Sequence, residues 1–289
     1  MSQNPKPGFT GSPINRSDKI RMNADALAAA RAHPDARFLP LAKLDPHLLD
    51  ERLLWLTPDQ VPDEADTLFL GLEKDVPRFA VDLSASQLSA EPLTAHQAIA
   101  RISAEEAASY AGARSLMDWH ARHRHCPACG TATEMRRGGW MRTCPGCGAE
   151  QFPRVDPVVI MLAEHEGQVL VGRQPRFPPQ SYSALAGFIE VGESIEEAVA
   201  RELHEEAGVT ATDVRYVVSQ PWPFPSSLMI GCFAQVTARD IVIDEDELEA
   251  AMWVSRDEVR AALNGDGRFR TAPPYALAHT LLSRWAAEG

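Results

Sequence analysis

The sequence predicts an α+β protein of several domains, and three observations support this prediction. Residues 24–122 alternate short apolar runs with acidic, proline-containing connections, which is typical of a small, mostly β domain, and they finish in a helical stretch. Two Cys-Pro-x-Cys-Gly motifs then lie within residues 123–155. From residue 156 to 289, apolar runs of strand length alternate with segments of helical periodicity, which indicates an α/β domain.

The charge balance restricts the classes of partner. The 289 residues carry 28 Lys and Arg against 40 Asp and Glu, a net charge of −12. Such a chain repels phosphate backbones and anionic lipid, so we expect no general DNA binding and no membrane partner. No run approaches the ~18 apolar residues of a spanning helix, and the polar start does not resemble a signal peptide. We therefore expect a cytoplasmic protein whose residues 1–23 form a flexible arm.

In the first domain, strands are predicted at residues 37–41, 67–71 and 78–83, followed by one or two helices over 95–120. No motif in this domain carries chemistry. In the last domain, a hairpin is predicted from residues 157–163 and 168–172, with further strands at 214–219, 228–236 and 241–243. Helices are predicted at residues 194–207, 256–263 and 275–287.

The cysteine spacing predicts a structural zinc site in a ribbon over residues 123–155. Two C-x2-C pairs are separated by fourteen residues, and four thiolates complete a tetrahedron with no open position. The predicted ligands are Cys126, Cys129, Cys144 and Cys147. The alternative, four unrelated thiols, does not account for the duplicated motif. Cys232 lies alone in an apolar run, where a buried, inert thiol is expected.

The ribbon is locally basic inside an acidic protein. The favoured interpretation is a solvated face that pairs with acidic neighbours, and the alternative is a minor role in holding a phosphate-bearing ligand. Only Glu134 and Glu150 oppose the arginines, which are Arg122, Arg124, Arg136, Arg137, Arg142 and Arg154.

Residues 194–208 predict an unusual helix. Ser194 and Glu197 form a capping box that begins it, and Gly208 is the expected end. Near this end, where the helix dipole disfavours anions, three glutamates share one side: Glu202, Glu205 and Glu206. A bound divalent cation would relieve the repulsion, and oxygen ligands favour Mg²⁺ or Mn²⁺. The alternative is a solvent-exposed acidic helix.

Residues 187–209 match G-x5-E-x7-R-E-U-x-E-E-x-G-U, with U aliphatic, at every fixed position. This segment resembles the box of the Nudix hydrolases. The resemblance implies an α/β/α sandwich with a mixed sheet and hydrolysis of a nucleoside diphosphate linked to a further group. It implies metal ligation by Glu202 and Glu206, with Glu205 as a further ligand or proton acceptor. It also implies that the carbonyl of Ala186 completes the metal sphere and that Glu193 and Arg201 hold the loop and helix together.

Residues 219–229 predict a stiff extended loop, because three alternating prolines forbid helix and remove backbone donors. Trp222 and Phe224 on such a loop suit stacking on flat heterocycles, with Gln220, Ser226 and Ser227 to read their edges. The alternative for either aromatic residue is packing in the core.

The run SQPWPFPSS at residues 219–227 resembles the signature of the NADH pyrophosphatase branch, as do the ribbon spacing and residues 113–126. The resemblance implies substrate contacts from Phe188 in the box loop, from Ala278, and from Phe152 across a homodimer interface, where some relatives have Tyr. It adds a third acidic metal ligand, Glu247, with Glu249 and Glu245 as fallbacks. The whole loop is assigned to substrate binding: Gln220, Pro221, Trp222, Pro223, Phe224, Pro225, Ser226 and Ser227.

The implied activity is Mg²⁺- or Mn²⁺-dependent cleavage of the diphosphate of NAD(H) into NMN(H) and AMP, with the NAD cap of RNA 5′ ends as a second substrate. One alternative is a Nudix hydrolase of another dinucleotide such as ADP-ribose, against which the intact signature speaks. Another is a non-catalytic nucleotide sensor or RNA-binding ribbon protein, which predicts a degraded box. All three glutamates of the box are present.

Overall fold

The computed structural model describes residues 6–83, 88 and 91–288. The chain divides into two compact units. The first comprises Phe9–Val155 and Pro223–Ser226; the second comprises Asp156–Trp222, the residues from Ser227 onward, and those up to Gly8. No helix in the described part of the chain is both long enough and apolar enough to cross a membrane.

The strands of the first unit are β1 (Arg37–Ala42), β2 (Asp45–Pro46), β3 (Leu48–Leu49), β4 (Arg52–Leu53), β5 (Thr67–Glu73) and β6 (Val76–Asp82). Four of them form a sheet of order β2-β1-β6-β5, in which β1 and β6 run parallel, and β3 and β4 form a separate two-stranded sheet. Its helices are α1 (Asp18–Arg21), α2 (Ala24–Arg31), α3 (Ala95–Ile99) and α4 (Ala104–Arg122). The core of the unit contains three buried phenylalanines, of which Phe38 and Phe79 stack with ring centroids 5.1 Å apart.

The predicted helical stretch of this unit forms two helices. Ser103 ends the connection between them, because its side chain accepts a hydrogen bond from the Glu106 amide and begins α4. The ribbon follows as a three-stranded antiparallel sheet of β7 (Glu134–Arg136), β8 (Met141–Thr143) and β9 (Glu150–Gln151).

The segment predicted as a flexible arm packs in place from Phe9 onward. Phe9 is buried, and the backbone of Asn15 exchanges two 2.7 Å hydrogen bonds with Leu72. The Arg21 guanidinium lies 4.3 Å from the ring centroid of Trp140. A flexible arm was predicted because residues 1–23 are polar. The residues that hold the segment in place, Leu72 and Trp140, are distant in the sequence and come near it only in the folded unit. The arm's first five residues lie outside the described residues.

The second unit is an α/β/α sandwich around a six-stranded mixed sheet. The strands are β10 (Asp156–His165), β11 (Gln168–Arg173), β12 (Leu185–Phe188), β13 (Ala211–Trp222), β14 (Ser227–Val236) and β15 (Ala250–Ser255). Strands β10 and β14 are parallel, and the other pairs are antiparallel. The helices are α5 (Ile195–Ala207), α6 (Arg256–Leu263) and α7 (Leu277–Ala287).

Alternation along β10 explains the two layers. Val159 and Met161 belong to the buried cluster that contains the apolar stripe of α5. Ile160 and Leu162 point to the other face, in the cluster with α7. Both faces are covered, so the strand is continuously apolar from residue 157 to residue 163.

The strand predictions for this unit need correction. Strands β12 and β15 were not predicted. Residues 241–243 were predicted as a strand and form none, although Ile241 and Ile243 pack against the core. The predicted loop at 219–229 is a hairpin instead: β13 continues to Trp222, which pairs with Ser227. Pro223 and Pro225 lie in the turn of residues 223–226, where the pairing ends, whereas Pro221 is paired with Leu228 within the hairpin.

Candidate active site

Helix α5 forms as its sequence predicts. The Ser194 side chain accepts a hydrogen bond from the Glu197 amide, and Glu197 accepts one from the Ser194 amide at 2.7 Å. Gly208 ends the helix with a φ of 70°, a conformation that glycine adopts without strain. The helix therefore presents the three glutamates of its last two turns from a fixed frame.

Arg201 joins this helix to the loop before it. Its Nε and Nη2 donate to the two carboxylate oxygens of Glu193 at 2.6 and 2.9 Å, and Nη2 also donates to the Phe188 carbonyl at 2.9 Å. The Arg201 hydrogen bonds lower the pKa of Glu193 to about 2, so this carboxylate is ionised at neutral pH. The Nudix resemblance implies this holding role for the same pair.

The third nitrogen of Arg201 serves the acidic cluster. Nη1 donates to Glu202 at 2.8 Å and to Glu205 at 2.9 Å. Both terminal nitrogens of the guanidinium are therefore bonded to carboxylates. Its positive charge neutralises and orients these glutamates. The Arg201 contact with Glu202 was not predicted, whereas its pairing with Glu193 was an expectation from the Nudix resemblance.

Gly187 supplies the space for Glu202. A Cβ at this position would lie 1.8 Å from Cδ of Glu202, so the glycine lets the carboxylate sit directly against the strand backbone. Glu202 is 8% exposed. Burial raises its pKa, repulsion by Glu205 and Glu247 adds to this, and Arg201 opposes it.

Glu206 is the most buried of the three glutamates, at 2% exposure. Burial, followed by repulsion from Glu202 and Glu247, raises its pKa to about 8, although the Ala186 amide donates a hydrogen bond to it. Its Oε1 has no hydrogen-bond partner. A buried carboxylate oxygen without a partner costs free energy unless something positive meets it, so its chemistry fits a cation ligand.

Among the candidates for a third acidic ligand, the structure favours Glu247. Its charge raises the pKa of both Glu202 and Glu206, and it lines the same cavity as Glu202. Glu249 instead pairs with Arg173 at 2.9 Å. The donors that come together are all oxygens, which suits a hard divalent cation rather than a soft one.

The ribbon thiols meet as the spacing predicts. Within the described ranges, the four cysteines are the one group of potential metal ligands whose ligating atoms all lie within 4.8 Å. The sulfurs of Cys126 and Cys147 are 3.7 Å apart, and those of Cys129 and Cys144 are 3.4 Å apart. A tetrahedral zinc with Zn–S bonds of about 2.3 Å places its sulfurs about 3.8 Å apart, so the set fits zinc. Gly130 and Gly148, each with a φ of 76°, close the two knuckles.

The ribbon arginines mostly make structural contacts. Arg122 pairs with Asp118 at 2.8 Å, and Arg136 pairs with Glu134. Arg142 donates to the side chain and the carbonyl of Thr133 at 2.6 and 2.7 Å. Arg122 and Arg136 thus pair with acidic neighbours, as the favoured interpretation expects, whereas these Arg142 contacts are to neutral groups of Thr133.

Two cavities of the second unit adjoin the carboxylates. One, of about 540 Å³, is lined by Gly187, Phe188, Arg201, Glu202 and Glu247. The other, of about 310 Å³, is lined by Glu206, Trp222, Leu277 and Ala278. They share Gln174, Arg176 and Ala186. A ligand that fills both would therefore pass the metal-ligand candidates.

One aromatic ring lines each cavity, Phe188 the first and Trp222 the second. Trp222 stacks on Tyr275, with centroids 6.4 Å apart and planes 22° apart. Phe188 is 61% exposed, which is unusual for a large apolar side chain. Both are therefore placed to meet flat groups of a ligand.

Gln220 was predicted to read the substrate, and the structure corrects this. Its side chain is fully buried: Oε1 accepts from the Gly8 amide at 3.0 Å, and Nε2 donates to the Tyr275 carbonyl at 3.1 Å. Gln220 therefore holds the segment that carries the Tyr275 ring rather than a ligand. Sequence alone could not show this, because the partners lie far away in the chain.

Phe224 was also assigned to the substrate, and it packs within the first unit instead. Its ring stacks on His96 at 5.0 Å, and the Arg114 guanidinium lies 4.6 Å above it. The turn is anchored there as well: Arg114 donates to the Pro223 carbonyl, Ser115 donates to the Pro225 carbonyl at 3.1 Å, and Ser226 donates to the Arg154 carbonyl at 3.2 Å. Adjacent aromatics thus belong to different units.

Other predicted substrate residues are partly placed. Pro221 is exposed, and Ser227 is buried at the start of β14. Phe152 is 52% exposed and lies under Arg137, with 5.8 Å between guanidinium and ring. Its role across a dimer interface stays a prediction. Gln174 and Arg176, which line both cavities, and Tyr275, which stacks on Trp222, were not predicted, because they belong to no motif and are placed only by the fold.

A mixed sheet with this carboxylate-bearing helix is that of a Nudix hydrolase, and the NUDIX domain family model matches residues 153–276. The NADH pyrophosphatase zinc ribbon domain matches residues 121–152, and the NADH pyrophosphatase-like rudimentary NUDIX domain matches residues 23–119. The chain belongs to the NADH pyrophosphatase branch of the Nudix hydrolases.

Curated relatives agree with this placement. The NAD-capped RNA hydrolase NUDT12 of Macaca fascicularis is 36% identical over 96% of this chain and 72% of its own length. The NAD-capped RNA hydrolase NudC of Mycobacterium bovis is 35% identical over 94% and 92%. The mitochondrial NAD(P)H pyrophosphatase NUDT13 of Homo sapiens is 34% identical over 82% and 69%. Membership implies dependence on divalent metal ions, and the ribbon cysteines indicate zinc.

Proposed function

We propose that this chain hydrolyses the diphosphate bond of NAD(H) to NMN(H) and AMP, with Mg²⁺ or Mn²⁺ as the catalytic ions. The observation that carries the proposal is the buried, unpartnered Oε1 of Glu206 beside Glu202 and Glu247, where the two cavities adjoin. The names of the curated relatives support the choice of substrate.

Each part of the site has a separate task in this reaction. Glu202, Glu206, Glu247 and the Ala186 carbonyl would hold the divalent ions. When bound, such ions would supply charge withdrawal from the diphosphate oxygens and a lower pKa for an attacking water. Arg201 fixes Glu202 and Glu205 at 2.8 and 2.9 Å, so the carboxylates need not reorganise when substrate enters. Trp222, supported by Tyr275, stacks on one flat group of the dinucleotide.

The NAD cap of RNA 5′ ends is proposed as a second substrate of the same site. The relatives of Macaca fascicularis and Mycobacterium bovis carry this activity in their names. A homodimer in which Phe152 of one protomer completes the site of its partner, and a cytoplasmic location, belong to the same proposal. The exposure of Phe152 is compatible with such a contact.

One assay tests the proposal. The purified chain is given NADH, NAD⁺, ADP-ribose and NAD-capped RNA in parallel, with Mg²⁺ or Mn²⁺, and the products are separated. NMN(H) is expected from free NAD(H) and from the capped RNA. Turnover of ADP-ribose alone would favour the other dinucleotide activity, and no NMN(H) from any substrate would refute the proposal.

A further inference from the structure

The two cavities of the second unit share three residues, and one of them, Arg176, is a cation. Gln174 and Ala186 are the other two. The Arg176 side chain is exposed. It therefore stands at the place where a molecule filling both cavities passes from one to the other.

The charges around these cavities are unbalanced. Two cations line the first cavity, Arg176 and Arg201, against a carboxylate group consisting of Glu190, Glu202, Asp246 and Glu247. Arg201 is bonded to glutamates through all three of its nitrogens. Arg176 is the single cation lining the second cavity. Across the described part of the chain, Arg176 has no side-chain hydrogen bond or ion pair to a protein group, so its charge is available to a ligand.

The turn that carries Arg176 is fixed by hydrogen bonds from Arg173. Arg173 donates to the Phe177 carbonyl at 2.9 Å and to the Ser181 carbonyl at 3.3 Å, while pairing with Glu249 at 2.9 Å. The Phe177 amide donates to the Gln174 carbonyl at 3.0 Å. Arg173 therefore has a structural role, because its guanidinium is bonded to protein groups. Its contacts fix the backbone that carries Arg176.

We propose that Arg176 binds the substrate's diphosphate and holds it between the second cavity, which Trp222 lines, and the carboxylates of the first cavity. The inference rests on the proposed function and names a residue that contacts the substrate. A diphosphate approaching the carboxylates is repelled by them, and a guanidinium at the junction offsets this repulsion. Its planar fork also matches two phosphate oxygens at once, which a lysine cannot do.

Steady-state kinetics with NADH test the assignment at a fixed, saturating divalent ion concentration. Arg176→Met is expected to raise KM about tenfold, equal to about 1.4 kcal/mol of binding, with kcat changed less than about threefold. Arg176→Lys should fall between wild type and Arg176→Met. The difference in KM should shrink as salt rises towards 1 M, because this contact is exposed and screened.

The matched control is Arg239→Met, which removes another exposed arginine of this unit that lines neither cavity. Its KM should match wild type. Equal KM values for Arg176→Met and wild type would overturn the assignment, as would an equal rise in the control, which would mean a general loss of charge. If wild type makes no NMN(H), the proposed function fails; if only the Arg176 effect is missing, that function stands and this inference alone is wrong.

Discussion

The backbone of Gly187 and the carboxylate of Glu202 lie in contact, so that a methyl group on the glycine would stand 1.8 Å from Glu202 Cδ. Gly187→Ala is expected to displace the carboxylate and lower kcat/KM for NADH by at least about 10²-fold, the scale of losing one well-placed electrostatic group. Gly112→Ala is the control: nothing lies within 4 Å of its Cβ in α4, so activity should persist with a gain of about 0.5–1 kcal/mol in stability. Full activity of Gly187→Ala would refute the assigned role of Glu202.

Glu206→Gln should separate stability from activity. Folding must either protonate this carboxyl, whose pKa rises to about 8, or bury its charge beside two other carboxylates; both cost free energy, so the substitution is expected to raise the melting temperature measured without divalent ions. Turnover should fall at least about 10²-fold. Added Mg²⁺ or Mn²⁺ should stabilise wild type more than the variant, because the ion binds the folded site. The exposed Glu196→Gln on the same helix should leave turnover within about twofold; an active Glu206→Gln would remove this residue from the metal site.

The two aromatics of the hairpin should respond differently to truncation. Trp222→Ala removes a ring that lines the cavity, so KM for NADH should rise on the order of tenfold or more. Phe224→Ala removes a ring packed on His96 and Arg114, so it should cost about 2 kcal/mol in unfolding free energy with a smaller change in KM. The reverse pattern, measured by kinetics and denaturation, would restore Phe224 to the substrate site.

The ribbon should hold one zinc ion per chain, measurable by elemental analysis of the purified protein. Cys126→Ser is expected to lose that zinc and to unfold the ribbon, since the metal replaces a core that so few residues cannot supply. Cys232→Ala is the control, because this thiol is buried in the other unit, outside the cysteine cluster, and should leave the zinc content unchanged. A well-folded ribbon without metal would contradict the assignment.

His120 should make the first unit sensitive to acid. Burial lowers its pKa to about 4; its Nε2 donates to the Gly139 carbonyl at 2.7 Å, and its Nδ1 accepts from Arg142 at 3.0 Å. The charged or titratable groups facing it are Arg142, Asp66 and His123. Between the ordinary value of 6.5 and about 4, the unfolded chain binds a proton that the folded chain does not.

Stability should therefore fall as the pH drops through this window, by up to about 1.4 kcal/mol per pH unit, and His120 should add no pH dependence above it. Denaturation of wild type and His120→Gln at pH 7 and pH 5 measures the effect. The variant should lose less stability on acidification, whereas exposed His33→Gln should behave like wild type. Equal losses in all three proteins would exclude His120 as the source.

Local sequence was sufficient wherever the interaction partners are close in the chain. The capping box at Ser194, the end at Gly208, the knuckle glycines and the four thiols follow from spacings within a few residues, and all were predicted. The zinc ribbon and the glutamate-rich helix follow from the same short-range rules. Both faces of β10 are likewise readable as one continuous apolar run.

Tertiary structure alone decided which groups meet across long stretches of chain. The Gln220 side chain donates to the Tyr275 carbonyl and Phe224 stacks on His96, and no short-range pattern encodes these pairs. Burial is the physical reason that this matters: it converts Glu206 from one of several helical acids into a carboxylate with a raised pKa and a free oxygen. The family, the types of metal-binding residue and the order of the domains could all be read from motifs in the sequence. The packing of the sheet and its loops determined which of those side chains face the cavities and which hold the walls.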